Sequence, residues 1–281
     1  MDAHVDGALG QDLTVLRLAT WNVLAPAHAH PHRYAGVLPA DLLAETRIPR
    51  VRSLLHELLD ESDVVAVQEA DDVLVAWLRE EVGASVVHAP RESGRDGVLL
   101  ASQSHALSGE AGASSDGRRT WASATLAGVL VVSLHLDPEW PEKRRAGAAQ
   151  AAELLAWVEA REPSPVVLLG DLNAPWSGPT GDVLRCHGFE AAPCGATAAT
   201  NGRTRELDVV ASRGCASLVT VPTDLASVGS SVWLPDALHP SDHVPVRAVI
   251  ACAGGSGVGA VALVGVAGEV SARLSADRGQ P

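Results

Sequence analysis

The sequence predicts a single α/β domain built in layers. Three observations lead there: apolar runs and helix-like segments interleave along the chain, no internal repeat is visible, and 281 residues at 47% hydrophobic content can bury one sizeable core. LRLAT (16–20) is the first apolar run bounded by polar residues and reads as a strand. Leucines recurring on one face from Asp41 to Asp60 predict a helix. DVVAVQE (63–69) is a second strand, and Asp71 to Val82 a second helix. ASVVHA (84–89) and DGVLLAS (96–102) add two strands, and 118–127 followed by VLVVSLHL (129–136) predicts an antiparallel hairpin. An alanine-rich helix opens with Pro138 and runs to Arg161. VVLLGDLN (166–173), ELDVVAS (206–212) and HVPVRAVIA (243–251) complete the strands. Residues 1–13 are expected to be disordered, 14–252 to form the domain, and 253–281, rich in Gly, Ala and Val, to be a tail or linker.

Composition narrows the function. The formal net charge of −13, from 34 acidic and 21 basic side chains, disfavours extended duplex binding but not a phosphoester substrate, because a bound metal ion can invert the field of a carboxylate-rich cleft. No apolar run is long enough to span a bilayer and the start lacks a leader pattern, so a cytoplasmic protein is expected. Cys186, Cys194, Cys215 and Cys252 show no C-x-x-C spacing and read as reduced, mostly buried thiols.

Chemistry gathers where strands end. LRLAT runs into Asn22, VVAVQ into Glu69, VVSL into His135, and VVLLG into Asp171 and Asn173. Asp208 stands inside an apolar run, and Asp242 and His243 precede the last strand. Taken singly each has an ordinary explanation: a turn former, a boundary charge, a satisfied core histidine. Asp208 is the hardest to dismiss, since a carboxylate between Leu207 and Val209 is costly to bury without a partner. Ligands collect at strand ends in α/β sheets, so these endings could converge on one cleft.

In order, TWNVLAP, QE, SLHLD, GDLNAP, ELDVV and HPSDHVPV resemble the endonuclease/exonuclease/phosphatase family from Leu16 to Cys252, with GDLN and SDH the specific motifs. The long Asn22-to-Glu69 interval, with its histidine-rich loop and arginine-bearing helix, and the PSDHVP ending look most like the CCR4-like deadenylase branch. The resemblance implies a DNase I-like four-layer α/β sandwich, two mixed sheets flanked by helices. It also implies Mg²⁺ or Mn²⁺ held by Asn22, Glu69 and Asp242. Asp171 would orient or deprotonate the attacking water, Asn173 and His135 would donate to the phosphoryl group, and His243, held by Asp208, would bind phosphate or move a proton. The implied reaction is hydrolysis of a phosphodiester by activated water without a covalent intermediate.

Two departures bear on substrate. Repair nucleases of the family carry a mid-chain tyrosine, whereas the only tyrosine here is Tyr34; and position 24, often an acid in them, is leucine. Both lean away from abasic-site repair. Trp176 and Trp233 are the best platforms for stacked bases, with Trp77 and Trp157 expected in the core. Arg118–Arg119 and Lys143–Arg144–Arg145 are basic clusters that read as solvated faces or guides for a short strand, and His28, His30 and His32 as a solvated loop or a transition-metal site. The preferred reading is a monomeric nuclease on RNA or single-stranded nucleic-acid ends. The alternatives are a phosphatase or phosphodiesterase on a small phosphoester, such as a lipid head group, inositol phosphate or cyclic phosphate, and a non-catalytic binding module. The presence of all eight site residues argues against the last.

Overall fold

The structure, a computed structural model, describes residues 13–92, 94–139, 146–161, 165–221, 225 and 233–253. Two six-stranded sheets stack face to face. In the first, β13 (Ser217–Val221), β14 (Val246–Ala253), β1 (Leu13–Asn22), β2 (Val64–Ala70), β4 (Gly97–Ser102) and β3 (Ser85–Pro90) lie side by side. The second runs β5 (Gly109–Ala113), β6 (Thr120–Leu126), β7 (Val129–His135), β8 (Val166–Asp171), β12 (Asp208–Arg213) and β9 (Glu190–Ala191). A short hairpin of β10 (Ala198–Thr200) and β11 (Arg203–Arg205) stands apart from both.

Helices cover the outer faces because the strands are apolar on both sides. α1 (Pro39–Leu42), α2 (Ala44–Glu61) and α3 (Asp72–Glu80) belong to the first sheet's side, where Leu55, Leu58 and Leu78 pack on Val65 and Val67. α4 (Ala146–Glu159) and α5 (Pro179–Cys186) cover the second, with Leu154, Leu155 and Leu184 on Val132 and Leu168. Between the sheets, Leu18, Ala66 and Ile250 meet Val131, Val167 and Val210. Each fully buried aliphatic side chain contributes roughly 1.5–3 kcal/mol, so this central layer and the two sheet–helix layers, of similar extent, all hold the domain together. The result is the four-layer sandwich expected.

Among the described residues two strand pairs are parallel, β1 with β2 and β7 with β8, each joined through helix on an outer face. That detail positions the site, because parallel neighbours finish at the same rim.

Several boundaries differ from expectation. The helix expected over 41–60 is broken at Leu43, which is extended (φ −67, ψ 130), and Pro49 is carried inside α2. Asp71 stands outside α3 as its cap, accepting a hydrogen bond from Leu74 N at 2.8 Å. Pro138 does not open α4, whose described residues begin at Ala146; Asp137 N donates to Gln150 Oε1 at 2.8 Å and Glu139 bonds Thr180 N, so the chain is held off the helix axis. The last strand starts at Val246 rather than His243, because His243 is bridged to Ala198 instead. The sandwich also takes in Leu13 and Ala253, which pair across β1 and β14, one residue beyond each expected border. The remainder of both terminal segments, and Lys143–Arg144–Arg145, lies outside the described residues. All four cysteines are free, with Cys186 exposed.

Candidate active site

The two parallel pairs end at one rim. β1 delivers Asn22, β2 Glu69, β7 His135 and β8 Asp171. β12 runs antiparallel to β8 and begins at Asp208, directly opposite Asp171. The turn before β14 adds Asp242 and His243. All eight expected residues therefore gather there, although the contacts are uneven.

Asp171 is the hub. Its Oδ2 accepts from Asn22 Nδ2 at 3.0 Å and lies 3.5 Å from His135 Nε2 and 3.7 Å from His243 Nε2, while Oδ1 accepts from Asn173 N at 2.6 Å. Asn22 Nδ2 also reaches Glu69 Oε1 at 3.4 Å, so through its bond to Asp171 it ties β1 and β2 of the first sheet to β8 of the second. His243 Nδ1 sits 2.7 Å from Asp208 Oδ2, which is the expected ring-holding pair. Asn173 Nδ2 donates to Leu136 O at 3.0 Å and lies 2.9 Å from His135 Nε2. Asp242 stands to one side, its Oδ2 accepting from Tyr34 Oη at 3.1 Å and Thr200 Oγ1 at 3.3 Å.

Backbone strain accompanies this placement. Glu69 has φ +59 at a bulge in β2, where pairing with β4 skips from Gln68 to Ala70, and Asn173 has φ +52. A left-handed glutamate is uncommon and costs of order 1–3 kcal/mol, which marks the position as one held by its surroundings. The glycine of GDLN is needed for a different reason: Gly170 has φ +144, and a Cβ there would fall 2.0 Å from Leu134 O.

Burial sets the charges. It pushes the Asp171 carboxyl up to about 7, the neighbouring Asp208 adding to the rise and the His243 imidazolium opposing it. Burial alone would lower the His243 pKa, but Asp208 and Asp171 outweigh it and hold the ring well above its ordinary value. His135 moves the other way, well down, because it is buried and faces Arg119 and Arg91. One histidine is thus an imidazolium and the other neutral, a division that suits distinct roles.

Several residues at this rim carried no signal strong enough to single them out. Trp21 Nε1 donates to His243 O at 2.9 Å, and Ser241 Oγ donates to Asn22 O at 2.6 Å, so the SDH turn is fastened to β1. Arg47, fully buried on α2, donates through Nη1 to Val23 O and Pro240 O, each at 3.0 Å. Arg91 reaches His135 and Asp96, and Asp96 also binds His28. His28 is thereby occupied, while His30 and His32 stack on each other with ring centroids 5.5 Å apart, so the three do not converge on a metal. Tyr34, distant in sequence from a mid-chain position, nonetheless lies in the site. Arg118 and Arg119 both pair with Asp137, at 3.4 and 2.7 Å. Trp77 is buried and Trp157 half-buried; Trp176 is half-buried under Arg185, and Trp233 is 38% exposed beside Gly36 and Gly202.

The donor set fits a hard divalent cation. Asn22, Glu69 and Asp242 offer oxygens, and Asp208 Oδ1 is buried with no hydrogen-bond partner. The tightest group among the described residues is instead Asp171, Asp208 and His243, whose ligating atoms lie within 4.8 Å of one another. Its closeness reflects the 2.7 Å contact of His243 Nδ1 with Asp208 Oδ2 and the 3.7 Å approach of His243 Nε2 to Asp171 Oδ2.

The fold and this rim together define a DNase I-like α/β sandwich. A model of the endonuclease/exonuclease/phosphatase family matches residues 19–243, and the chain belongs to that family, whose members hydrolyse phosphoester bonds. Among solved structures, ANGEL2, a 2′,3′-cyclic phosphatase, in complex with adenosine-2′,3′-vanadate, is similar at TM-score 0.64 and 14% identity over 88% of this chain and 99% of that one. The human Nocturnin catalytic domain with bound sulfate gives 0.58 and 17% over 86% and 96%. Truncated Caenorhabditis elegans TDP2 gives 0.57 and 14% over 84% and 97%. None of the curated protein sequences matches the chain. At such identities the likeness speaks for the fold.

Proposed function

We propose that the chain is a divalent-metal-dependent phosphodiesterase that cleaves RNA or single-stranded nucleic-acid ends by activated water. The observation that carries this reading is Asp171, buried, pushed up to about 7 and lying within 4 Å of two imidazoles in opposite charge states. A carboxylate that titrates near neutrality accepts a proton from water efficiently at that pH. His243 stays charged because Asp208 holds its ring, and it opposes the negative charge of the phosphoryl group. Asn173 and His135 flank Asp171 and donate to a phosphoryl oxygen. Asn22, Glu69 and Asp242 would hold Mg²⁺ or Mn²⁺, which when bound neutralises phosphate charge as a Lewis acid. The water oxygen forms the new bond to phosphorus, its proton passes to Asp171, and the ester oxygen departs.

A second reading, hydrolysis of a small phosphoester, is favoured by the similarity to a 2′,3′-cyclic phosphatase structure carrying adenosine-2′,3′-vanadate. Hydrolysis of bis(p-nitrophenyl) phosphate and of labelled single-stranded RNA, with Mg²⁺, Mn²⁺ or EDTA and beside Asp171→Asn, separates the two. Metal-dependent cleavage of RNA that Asp171→Asn loses is the expected result. Cleavage of the small diester alone moves the substrate to small phosphoesters, and cleavage of neither overturns the enzyme reading.

A further inference from the structure

We infer that Tyr34 is a positioning residue for the metal: together with Thr200 it holds one oxygen of Asp242, Oδ2, and so leaves the other, Oδ1, to the cation. The inference rests on the proposed reading in which Asp242 is a metal ligand.

A carboxylate offers two lone pairs on each oxygen. Asp242 Oδ2 accepts from Tyr34 Oη at 3.1 Å and from Thr200 Oγ1 at 3.3 Å, so its acceptor capacity is used within the protein. Oδ1 has no hydrogen-bond partner among the described residues. The backbone on either side is fixed as well: Asp242 O accepts from Ala199 N at 2.8 Å, and Pro240 O from Arg47 Nη1 at 3.0 Å. Little rotational freedom is left for a cation to remove on binding, which is the advantage of a preorganised ligand.

Tyr34 reaches Asp242 from a seat of its own. It is buried in a cluster with Leu24, Ala29, Val37 and Leu42. Leu24 has φ +55, and its N donates to Asn22 Oδ1 at 3.1 Å, so the segment that seats the tyrosine leaves directly from another proposed metal ligand. The leucine at position 24 and the tyrosine at 34, which in the sequence are two separate departures from the repair-nuclease pattern, are one feature in space. An apolar side chain stands where an acid often does, and it shares a cluster with the residue that orients Asp242. A phenol carries one O–H proton. With that proton given to Asp242, Tyr34 has none for a phosphoryl oxygen, so it holds the metal ligand and does not bind substrate. Groups that orient a ligand from outside the metal's own contacts are typically worth about 10- to 100-fold in affinity.

The test is a titration of metal-free protein with Mn²⁺ followed by electron paramagnetic resonance, with the folding of each variant checked by circular dichroism. Wild type is expected to bind Mn²⁺ saturably, and Asp242→Asn to lose most of that affinity. Tyr34→Phe, which removes one oxygen and keeps the ring in its seat, is expected to raise the Kd about 10-fold. Thr200→Val should act in the same direction, and Thr200→Ser, which keeps the hydroxyl, should restore most of the loss. The Mn²⁺ concentration that half-saturates hydrolysis of bis(p-nitrophenyl) phosphate should shift by the same factor in Tyr34→Phe. A tyrosine that only stabilises the fold would lower the Tm and leave the Kd of the folded protein alone, and that result overturns the inference. So does an unchanged Kd with a raised KM for the diester, which would put Tyr34 on the substrate. If Asp242→Asn binds Mn²⁺ as wild type does, or wild type binds none, the reading of Asp242 as a ligand fails and the inference fails with it. If the Kd values move as expected and no phosphoester is cleaved, the functional reading fails and the assignment of Tyr34 stands.

Discussion

Asp171 illustrates how one residue's environment shows in both stability and catalysis. Its carboxyl rises from 3.8 to about 7 on folding, so between those values the folded chain holds a proton that the unfolded chain has released. Stability must therefore fall as pH rises through that window, because the native state binds more protons. Asp171→Asn removes the dependence. In EDTA, its Tm relative to wild type is expected to climb from pH 4 to pH 7, and a pH-independent difference would refute the buried, proton-holding carboxyl. His243 has its pKa raised as well, so its contribution is present below the ordinary histidine value and is lost as pH rises through its own. Asp208→Asn should remove most of that contribution and lower activity, and an unchanged pH profile would argue against the pair. These residues were picked out in the sequence by the order of short motifs in which they stand, since a polar residue after an apolar run has, taken singly, an ordinary explanation. Tyr34, Arg47 and Arg91 were not, since a loop tyrosine or a helix arginine looks the same in sequence whether it faces water or a buried carboxylate.

At the scale of elements, the site depends on how closely β7 and β8 approach. Gly170 sits against Leu134 O at a φ favourable only to glycine, one residue before Asp171 and across from the strand that ends in His135. Gly170→Ala is expected to cost more than about 1 kcal/mol of stability, since alanine at such a φ is strained even before the clash, and to displace Asp171 from His135. A thermal melt within a degree of wild type, with full activity, would show that the strands can part without consequence. The central strands were predictable because each is an uninterrupted apolar run. β5, β9, β10, β11 and β13 were not, because they are short or half-polar and gain their pairing from neighbours rather than from their own pattern. The break at Leu43 and the late start of α4 have the same origin, since capping and side-chain anchoring across space decide where a helix stops.

At the scale of the molecule, an acidic chain must confine attraction for phosphate to the cleft. The formal charge of −13 predicts a weak salt dependence for a small diester and a stronger, modest one for a strand that runs past the cleft. Raising salt from 50 to 200 mM should reduce kcat/KM on RNA far more than on bis(p-nitrophenyl) phosphate. Equal effects would argue against a polymer substrate. No helix among the described residues is long and apolar enough to cross a membrane.

The sequence by itself determined the layered α/β class, the family and the eight residues of the rim, because apolar periodicity and short motifs are local properties of the chain. Only the tertiary structure decided which of those residues touch, that one histidine is charged and the other neutral, and that Arg91, Arg47 and Tyr34 belong with them. Charge state and partnership are set by burial and by groups distant in sequence, and neither is written at any single position.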